Sequence, residues 1–150
     1  MKPAPLTVLI DTREQTPCPF PAGVLTERAY MKEGDMTTRA LWNLCRIERK
    51  NPEDFASSLT HGRERLDREI ERLKAYPHRC IVVEADLADY YTGKVRSQVH
   101  INAIVGSMAS MQSRHGIPVL FLHSPILVGR FIAGVFRRLE EIHGQSAGTE

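Results

Sequence analysis

Charged residues of opposite sign meet where an apolar strand is predicted to end. In the segment RIERKNPEDF, residues 46–55, the apolar positions give way to Glu48, Arg49 and Lys50. Because successive side chains of a strand point to opposite faces, Glu48 and Lys50 share one face. A carboxylate and an ammonium group placed in this way can serve a metal ion and a water molecule together. Asp35, which comes just before a predicted hairpin, is expected to reach the same place.

Two carboxylates and a lysine form the minimal set for metal-assisted hydrolysis of a phosphodiester. Carboxylate oxygens are the ligands that hard cations such as Mg²⁺ and Mn²⁺ prefer. A bound cation polarises the phosphodiester and acidifies a water molecule, and the lysine orients that water or stabilises charge in the transition state. The same residue types also occur together at the solvated end of a strand, so this pattern alone leaves both interpretations open.

The surrounding sequence predicts the elements that must position these residues. Apolar runs and alternation predict strands over residues 6–10, 24–31, 36–41, 44–48, 79–86 and 116–123. Helical periodicity and end signals such as Asn51-Pro52 and Ser124-Pro125 predict helices over residues 52–59, 63–75, 99–113 and 125–143. Residues 87–98 are expected to be irregular or partly helical. The order of elements predicts an α/β sandwich whose mixed sheet has parallel βαβ units and an antiparallel hairpin at its edge.

Length and composition are those of one ordinary globular domain. The 150 residues are 42% hydrophobic and 25% charged, with a net charge of only +2, so a nucleic-acid site must be a local patch rather than a global field. Three cysteines without a CxxC pair argue against zinc and suit reduced thiols. The first apolar run is too short for a signal peptide or a membrane span. We expect a soluble protein of the cytoplasm, with residues 1–144 as the domain and 145–150 as a flexible tail.

Short charged motifs occur in a fixed order along the chain: Asp11-Thr12-Arg13-Glu14, Gly34-Asp35, Glu48-Arg49-Lys50 followed by Asp54, and Gly62-Arg63. Together they resemble the XPF-type structure-specific endonuclease family, whose hallmark reads GD…ERKxxxD. The resemblance runs from about Val8 to Leu139 and covers the nuclease module, in the compact standalone form found in bacteria and their phages. It implies a three-layer, restriction-endonuclease-like α/β core with a mixed central sheet flanked by helices.

The resemblance also implies roles for the acidic residues and the lysine. Asp35 and Glu48 would be the main ligands of Mg²⁺ or Mn²⁺, with Glu14 and the backbone carbonyl of Arg49 as further ligands. Asp11 and Glu14 would enrich the acidic pocket, directly or through metal-bound water, and Lys50 would be the catalytic lysine. The implied catalytic set is Asp11, Glu14, Asp35, Glu48, Arg49 and Lys50.

Several of the remaining charged residues have both a functional and a structural interpretation. Arg13 and Arg49 would bind DNA phosphates or hold the acidic cluster together. Arg63 would grip a neighbouring phosphate, or pair with Asp67 on the surface of its helix. Asp54 would support the site, or stabilise the first turn of a helix through the helix dipole. The rest of the helix over residues 63–75 mixes both signs of charge, which predicts a solvated face rather than a basic patch.

The resemblance, together with this set of acidic residues and Lys50, implies a metal-dependent endonuclease that hydrolyses branched or structured DNA in repair, recombination or phage DNA processing. The alternative is a non-cleaving DNA-binding module or partner subunit of a nuclease complex. The sequence has no phosphate-binding GxxxxGK[ST] loop, which argues against a nucleotide cofactor. A homodimer is also expected, as in the family, because the helix over residues 125–143 has a wide apolar face. Gly129 and Gly134 in that helix suggest the close approach of another backbone.

Overall fold

The structure, a computed structural model, describes residues 5–32 and 34–147, with side chains described up to residue 144. In this part of the chain the strands are β1 (Leu6–Asp11), β2 (Val24–Ala29), β3 (Met36–Thr37), β4 (Cys45–Lys50), β5 (His78–Val83) and β6 (Val119–Phe121). The helices are α1 (Pro52–Ser58), α2 (Arg63–Leu73), α3 (Leu87–Thr92), α4 (Ile101–His115) and α5 (Pro125–Ala147). None of the helices described is long and apolar enough to cross a membrane.

All six strands form one mixed sheet in the order β2-β1-β3-β4-β5-β6. β1 pairs with β2 in parallel, β3 is antiparallel to both β1 and β4, and β4, β5 and β6 are parallel. The predicted mixed sheet is confirmed. The prediction that the antiparallel hairpin lies at the edge is wrong, because β3 and β4 occupy the centre. β1 and β2 lie outside them, joined by residues 12–23 without a helix.

The sheet is covered by helices on both faces. One face of β1, β4 and β5 packs against the buried side of α5, which contributes Val128, Ile132, Ala133, Phe136 and Leu139. The other face, along β5 and β6, packs against α1, α2, α3 and α4 through a second cluster that includes Phe55, Leu66, Ile70, Ile81 and Ile104. Because side chains of β5 and β6 alternate between these two clusters, helices cover both faces of the sheet and the predicted three-layer α/β core is confirmed.

End signals in the sequence correctly place two helix starts. The side chain of Asn51 accepts a hydrogen bond from the Asp54 backbone amide at 2.8 Å, with Pro52 as the first residue of α1. The hydroxyl of Ser124 likewise accepts from the Ile126 amide at 3.2 Å at the start of α5. Residues 87–98, expected to be partly helical, contain the short helix α3.

Several predicted boundaries are wrong, and three of them differ most clearly. The strand over 36–41 shrinks to two residues, because the Thr37 hydroxyl donates to the carbonyls of Leu41 and Cys45 and residues 39–44 turn instead of pairing. β6 keeps only three residues of the predicted 116–123. α5 continues through Gly144 to Ala147, and the rest of the predicted tail, residues 148–150, lies outside the described residues.

The glycines of α5 have different surroundings. A Cβ atom added to Gly129 would lie 1.8 Å from the carbonyl oxygen of Pro19, in the loop between β1 and β2. The close approach that Gly129 permits is therefore made by this chain's own backbone. Around Gly134, a Cβ atom would meet only the tip of the Arg138 side chain, at 3.2 Å.

Candidate functional site

A cleft of about 800 Å³ lies where β1, β3, β4 and β5 begin or end at the same edge of the sheet. The backbone fixes this arrangement. The Asp11 amide donates to the Asp35 carbonyl at 2.8 Å, and the Asp35 amide donates to the Ile47 carbonyl at 3.1 Å. At the neighbouring strand end, the Glu84 amide donates to the Lys50 carbonyl at 2.9 Å. The cleft therefore collects acidic residues that are far apart in the sequence.

Asp35 and Glu48, the predicted main metal ligands, both line the cleft. Burial raises the pKa of Asp35 to about 7, although a 2.8 Å hydrogen bond from the Arg49 amide opposes the shift; Glu14 raises it further. Burial also raises the pKa of Glu48 well above its usual value, and the charge of Asp35 adds to this effect. The two carboxylates therefore resist being ionised together, as expected for acids poised to receive a cation.

Gly34 allows Asp35 to enter the cleft. Its φ of +70° belongs to the left-handed region that favours glycine, and an added Cβ atom would lie 2.9 Å from Cβ of Arg46. Arg46 is buried, and its guanidinium lies 4.4 Å from the ring centre of Trp42 and 4.5 Å from that of Tyr76. The glycine of the Gly34-Asp35 motif is thus required by backbone geometry and by a crowded neighbour.

The ammonium group of Lys50 lies between two carboxylates. Its Nζ is 3.1 Å from Oε2 of Glu69 and 3.9 Å from Oε1 of Glu48. Only 11% of the Lys50 side chain is exposed, so water screens these contacts weakly. The contact with Glu69 is an ion pair without hydrogen-bond geometry. Glu69, from α2, is an acidic member of the site that the sequence prediction missed.

Asp11 and Arg13 form a tight pair at the end of β1. Nε of Arg13 donates to the buried Asp11 carboxylate at 2.7 Å, and the Met31 amide donates to the same carboxylate at 3.3 Å. The Arg13 guanidinium also donates to the Met31 carbonyl at 2.6 Å. Both residues line the cleft, and their contacts hold the end of β1 against the chain that follows β2. This geometry supports the structural interpretation of Arg13.

Arg49 is also held by neighbouring acidic residues. Its guanidinium grips both carboxylate oxygens of Glu84, with distances of 2.8 to 3.1 Å, and lies 3.5 Å from Oε1 of Glu14. It also donates to the carbonyl of Thr16. A fork of this kind is a strong and geometrically specific contact. Between its two predicted roles, the contacts of Arg49 favour holding the acidic cluster together.

The structure brings Asp54 to the cleft but not Arg63. Asp54 lies in the first turn of α1 and lines the opening with an exposed side chain. Arg63 instead pairs with Asp67 at 3.5 Å and donates to the Ser107 hydroxyl at 3.3 Å. The contacts of Arg63 therefore favour the predicted surface pair with Asp67, and Arg63 is not among the residues that line the cleft.

The carboxylate oxygens of the cleft meet some of the requirements of a site for a hard divalent cation. Within residues 5–32 and 34–147, no three Asp, Glu, His or Cys side chains lie close enough together to hold a metal ion. The predicted ligand set of Asp35, Glu48 and Glu14 is therefore not assembled in this geometry. Mg²⁺ is, however, commonly bound by one or two carboxylates together with water and substrate phosphate. The pair Asp35 and Glu48, whose raised pKa values a cation would reverse, fits that kind of site.

Other cleft residues were missed in the sequence. Glu84 carried a signal, because it directly follows a buried strand parallel to the one that ends at Lys50. The cleft is also lined by Lys32 and by three arginines of α2: Arg65, Arg68 and Arg72. Their spacing of three and four residues places them on one face of the helix. The prediction that the charged part of this helix is a solvated face of mixed charge overlooked this grouping.

The chain matches both a family model and solved structures. A family model described as the ERCC4 domain matches residues 10–135. The solved structure of XPF from Aeropyrum pernix in complex with DNA is 26% identical, with a TM-score of 0.70 over 91% of this chain and 65% of that chain. A second structure of XPF from Aeropyrum pernix is also 26% identical, with a TM-score of 0.70 over 89% of this chain and 61% of that chain.

The chain thus spans less than two thirds of the length of either XPF chain. No curated protein matches the sequence. The family match covers most of the 150 residues, including every acidic and basic residue that lines the cleft. The protein therefore belongs to the ERCC4 domain family.

Proposed function

We propose that this protein is a metal-dependent endonuclease that hydrolyses phosphodiester bonds in branched or structured DNA. The observation that carries the proposal is the convergence of Asp35, Glu48 and Lys50 in one cleft, with pKa values of both carboxylates raised. Membership of the ERCC4 domain family supports a structure-specific DNA endonuclease. The DNA named in the description of the similar XPF structure supports DNA as the partner. Repair, recombination or phage DNA processing in the cytoplasm is the proposed context.

In this proposal each side chain of the cleft has a distinct task. Asp35 and Glu48 would hold Mg²⁺ or Mn²⁺, which supplies Lewis-acid polarisation of the phosphodiester and a more acidic water molecule. Lys50 places its ammonium group beside Glu48, where it can orient that water or stabilise negative charge on the reacting phosphate. Arg49 keeps the cluster assembled through its fork with Glu84. Asp11 fixes the end of β1 through Arg13 and the Met31 amide.

A cleavage assay tests the proposal directly. The purified protein is incubated with end-labelled duplex, flap, fork and four-way DNA, with Mg²⁺, with Mn²⁺ or with EDTA. We expect cleavage of branched DNA that requires the metal and that is lost in Asp35→Asn and Glu48→Gln variants that remain folded. Cleavage at the wild-type rate by either variant would show that the site is wrongly assigned. Metal-independent cleavage would refute the proposed chemistry.

The alternative, a non-cleaving DNA-binding module, predicts the loss of at least one essential residue. The acidic residues Asp11, Glu14, Asp35 and Glu48 are all present together with Lys50, and each of them lines the cleft. The geometry therefore favours the cleaving form. Metal-dependent hydrolysis in the assay above distinguishes the two.

We also propose that the protein forms a homodimer. Ile126, Leu127 and Ile142 of α5 and Val105 of α4 remain exposed, although the opposite side of α5 is buried against the sheet. These side chains lie on helices that cover opposite faces of the sheet, and the apolar surface of α5 is the part that a second subunit would cover. The contact of Gly129 with Pro19 lies within one chain, so it lends no support to the dimer. Sedimentation at micromolar concentration should show twice the 17.0 kDa of one chain, and a monomer that does not change on concentration would refute the dimer.

A further inference from the structure

One face of α2 turns three arginines toward the cleft. Arg65, Arg68 and Arg72 all line it, and we call these three residues the arginine row. The adjoining face of α2 is buried through Leu66, Ile70 and Leu73, which fixes how the helix is rotated on the sheet. By the same helical spacing the remaining acidic residues of α2 fall on the outer side: Glu64, Asp67 and Glu71. Apart from Glu69, which lines the cleft with the arginines, the charges that alternate along the sequence of α2 are thus separated in space.

The arginine row differs in its contacts from Arg13, Arg49 and Lys50, which also line the cleft. Arg13, Arg49 and Lys50 are each paired with a carboxylate at 3.1 Å or less. Among the described residues, neither Arg68 nor Arg72 has an ion pair or a side-chain hydrogen bond. Arg65 approaches Glu69 only at 3.4 Å, with 80% of its side chain exposed, and such surface pairs contribute little stability. Positive charge beside the cleft is therefore available to a ligand.

An anionic ligand that enters this cleft is repelled by several carboxylates. The net charge of the whole chain is only +2, so no strong overall field attracts an anionic polymer. Arginines held next to the carboxylates would offset that repulsion locally. Guanidinium groups also match phosphate oxygens through paired hydrogen bonds, which a point charge such as an ammonium group cannot do.

We infer that the arginine row binds the sugar-phosphate backbone of one DNA strand beside the bond to be cut. This inference rests on the proposed function and assigns the contacts with the DNA strand to the arginine row rather than to Arg63, the first residue of the same helix. Arg65 and Arg72 are separated by seven residues, which is about 10 Å along the helix, and successive phosphates of one strand in B-DNA advance by about 3.4 Å along the axis. The row therefore has the length to contact about three phosphates. Arg63, paired with Asp67, lies outside the cleft.

The test measures DNA affinity as a function of salt, without cleavage. Fluorescence anisotropy of a labelled fork DNA is recorded in EDTA for the wild-type protein and for Arg68→Gln/Arg72→Gln. Each phosphate contact contributes about 0.9 to the slope of log affinity against log salt concentration. We expect the double variant to lower the slope by about 1.8 and to lower affinity by up to about 60-fold at about 0.1 M salt.

A matched control removes the same charge elsewhere. Arg114 on α4 and Arg130 on α5 are exposed and lie outside the cleft, so Arg114→Gln/Arg130→Gln has the same net charge as the test variant. Its affinity and slope should remain within about twofold of the wild type if the contacts are local. Thermal unfolding of both variants should match the wild type, because none of these four side chains is buried.

The outcomes separate this inference from the proposed function. Equal losses in the two double variants would indicate a general effect of charge and would refute the arginine row. An unchanged slope in Arg68→Gln/Arg72→Gln, together with metal-dependent cleavage by the wild type, would refute the row while the endonuclease proposal stands. Loss of affinity and slope confined to the α2 variant would support the row even if the wild type cleaved no DNA, in which case the proposed chemistry alone would fail.

Discussion

Replacing Asp35 by asparagine should stabilise the metal-free protein, and by more as the pH rises. Burial raises the pKa of Asp35 to about 7, from a model-compound value of 3.8. The folded protein therefore binds a proton at Asp35 more tightly than the unfolded chain does. Stability from this proton is fully present below about pH 4 and is lost as the pH rises through about 7. Asparagine is neutral throughout, and its carbonyl can still accept the 2.8 Å hydrogen bond from the Arg49 amide.

The size of the effect follows from the shift in pKa. A change from 3.8 to about 7 corresponds to about 4 kcal/mol of unfolding free energy over the full titration, of which about 3 kcal/mol is lost between about pH 5 and about pH 8. A chain of this size changes its Tm by about 2 to 4 °C per kcal/mol. The advantage of Asp35→Asn over the wild type should therefore grow by about 6 to 12 °C over that interval.

Thermal unfolding in EDTA, followed by circular dichroism at the two pH values, measures this difference. Glu141→Gln removes the same charge from an exposed position on α5, behind the sheet, and should show no such growth with pH. Mg²⁺ should then raise the Tm of the wild type more than that of Asp35→Asn, because ligands stabilise the state that binds them. A Tm difference between Asp35→Asn and the wild type that is the same at both pH values would refute the reasoning.

Three further predictions concern other parts of the site and the fold. Lys50→Ala should lower the turnover of DNA cleavage by about 10²- to 10³-fold with a much smaller change in DNA affinity; an equal loss in both would make Lys50 a phosphate-binding residue only. Glu69→Gln should slow cleavage in the wild type but have no further effect in the Lys50→Ala background, since its nearest cation is the Lys50 ammonium group at 3.1 Å; additive losses would contradict this. Gly129→Ala should lower the free energy of unfolding, measured by chemical denaturation, by about 1 to 3 kcal/mol, because its Cβ atom would lie 1.8 Å from a backbone oxygen. Gly134→Ala, where the Cβ atom meets only a flexible side chain at 3.2 Å, is its control and should be neutral or stabilising.

The chemistry of the cleft could be predicted from the sequence where neighbouring strands carry it. Glu48 and Lys50 share a strand face by simple alternation, and Asp35 joins them through the short pairing of β3 with β4. Glu69 could not be placed in this way, because its position depends on how α2 is rotated on the sheet. That rotation is set by the packing of Leu66, Ile70 and Leu73. The periodicity of the sequence indicates that these three residues are buried, but it does not tell which part of the sheet they face or which residues of α2 then line the cleft.

Elements that depend on distant partners account for the errors in the fold. β1 and β2 are parallel although no helix connects them, and a loop with three prolines gave no sign of such a crossover. β3 is short because hydroxyl groups of Thr37 and Thr38 bind nearby backbone groups, a choice that competes with strand pairing. Gly129 was attributed to a second subunit because its neighbour, Pro19, is more than a hundred residues away in the chain.

The loop over residues 12–23 contacts three other parts of the protein. It therefore forms a fixed wall of the cleft, and the wall on the other side is easier to displace. Arg28 of β2 donates to the Asp11 and Glu14 carbonyls, Arg49 of β4 donates to the Thr16 carbonyl, and Cys18 is buried beneath α5. The amides of Thr12 and Glu14, which donate to the Ala29 and Asp11 carbonyls, should exchange hydrogen slowly. The opposite wall, α2, is held by three buried apolar side chains and by the ion pair of Glu69 with Lys50, contacts that are less directional than hydrogen bonds. The cleft would then widen for a bulky branched substrate by a tilt of α2, while the loop that carries Glu14 stays in place.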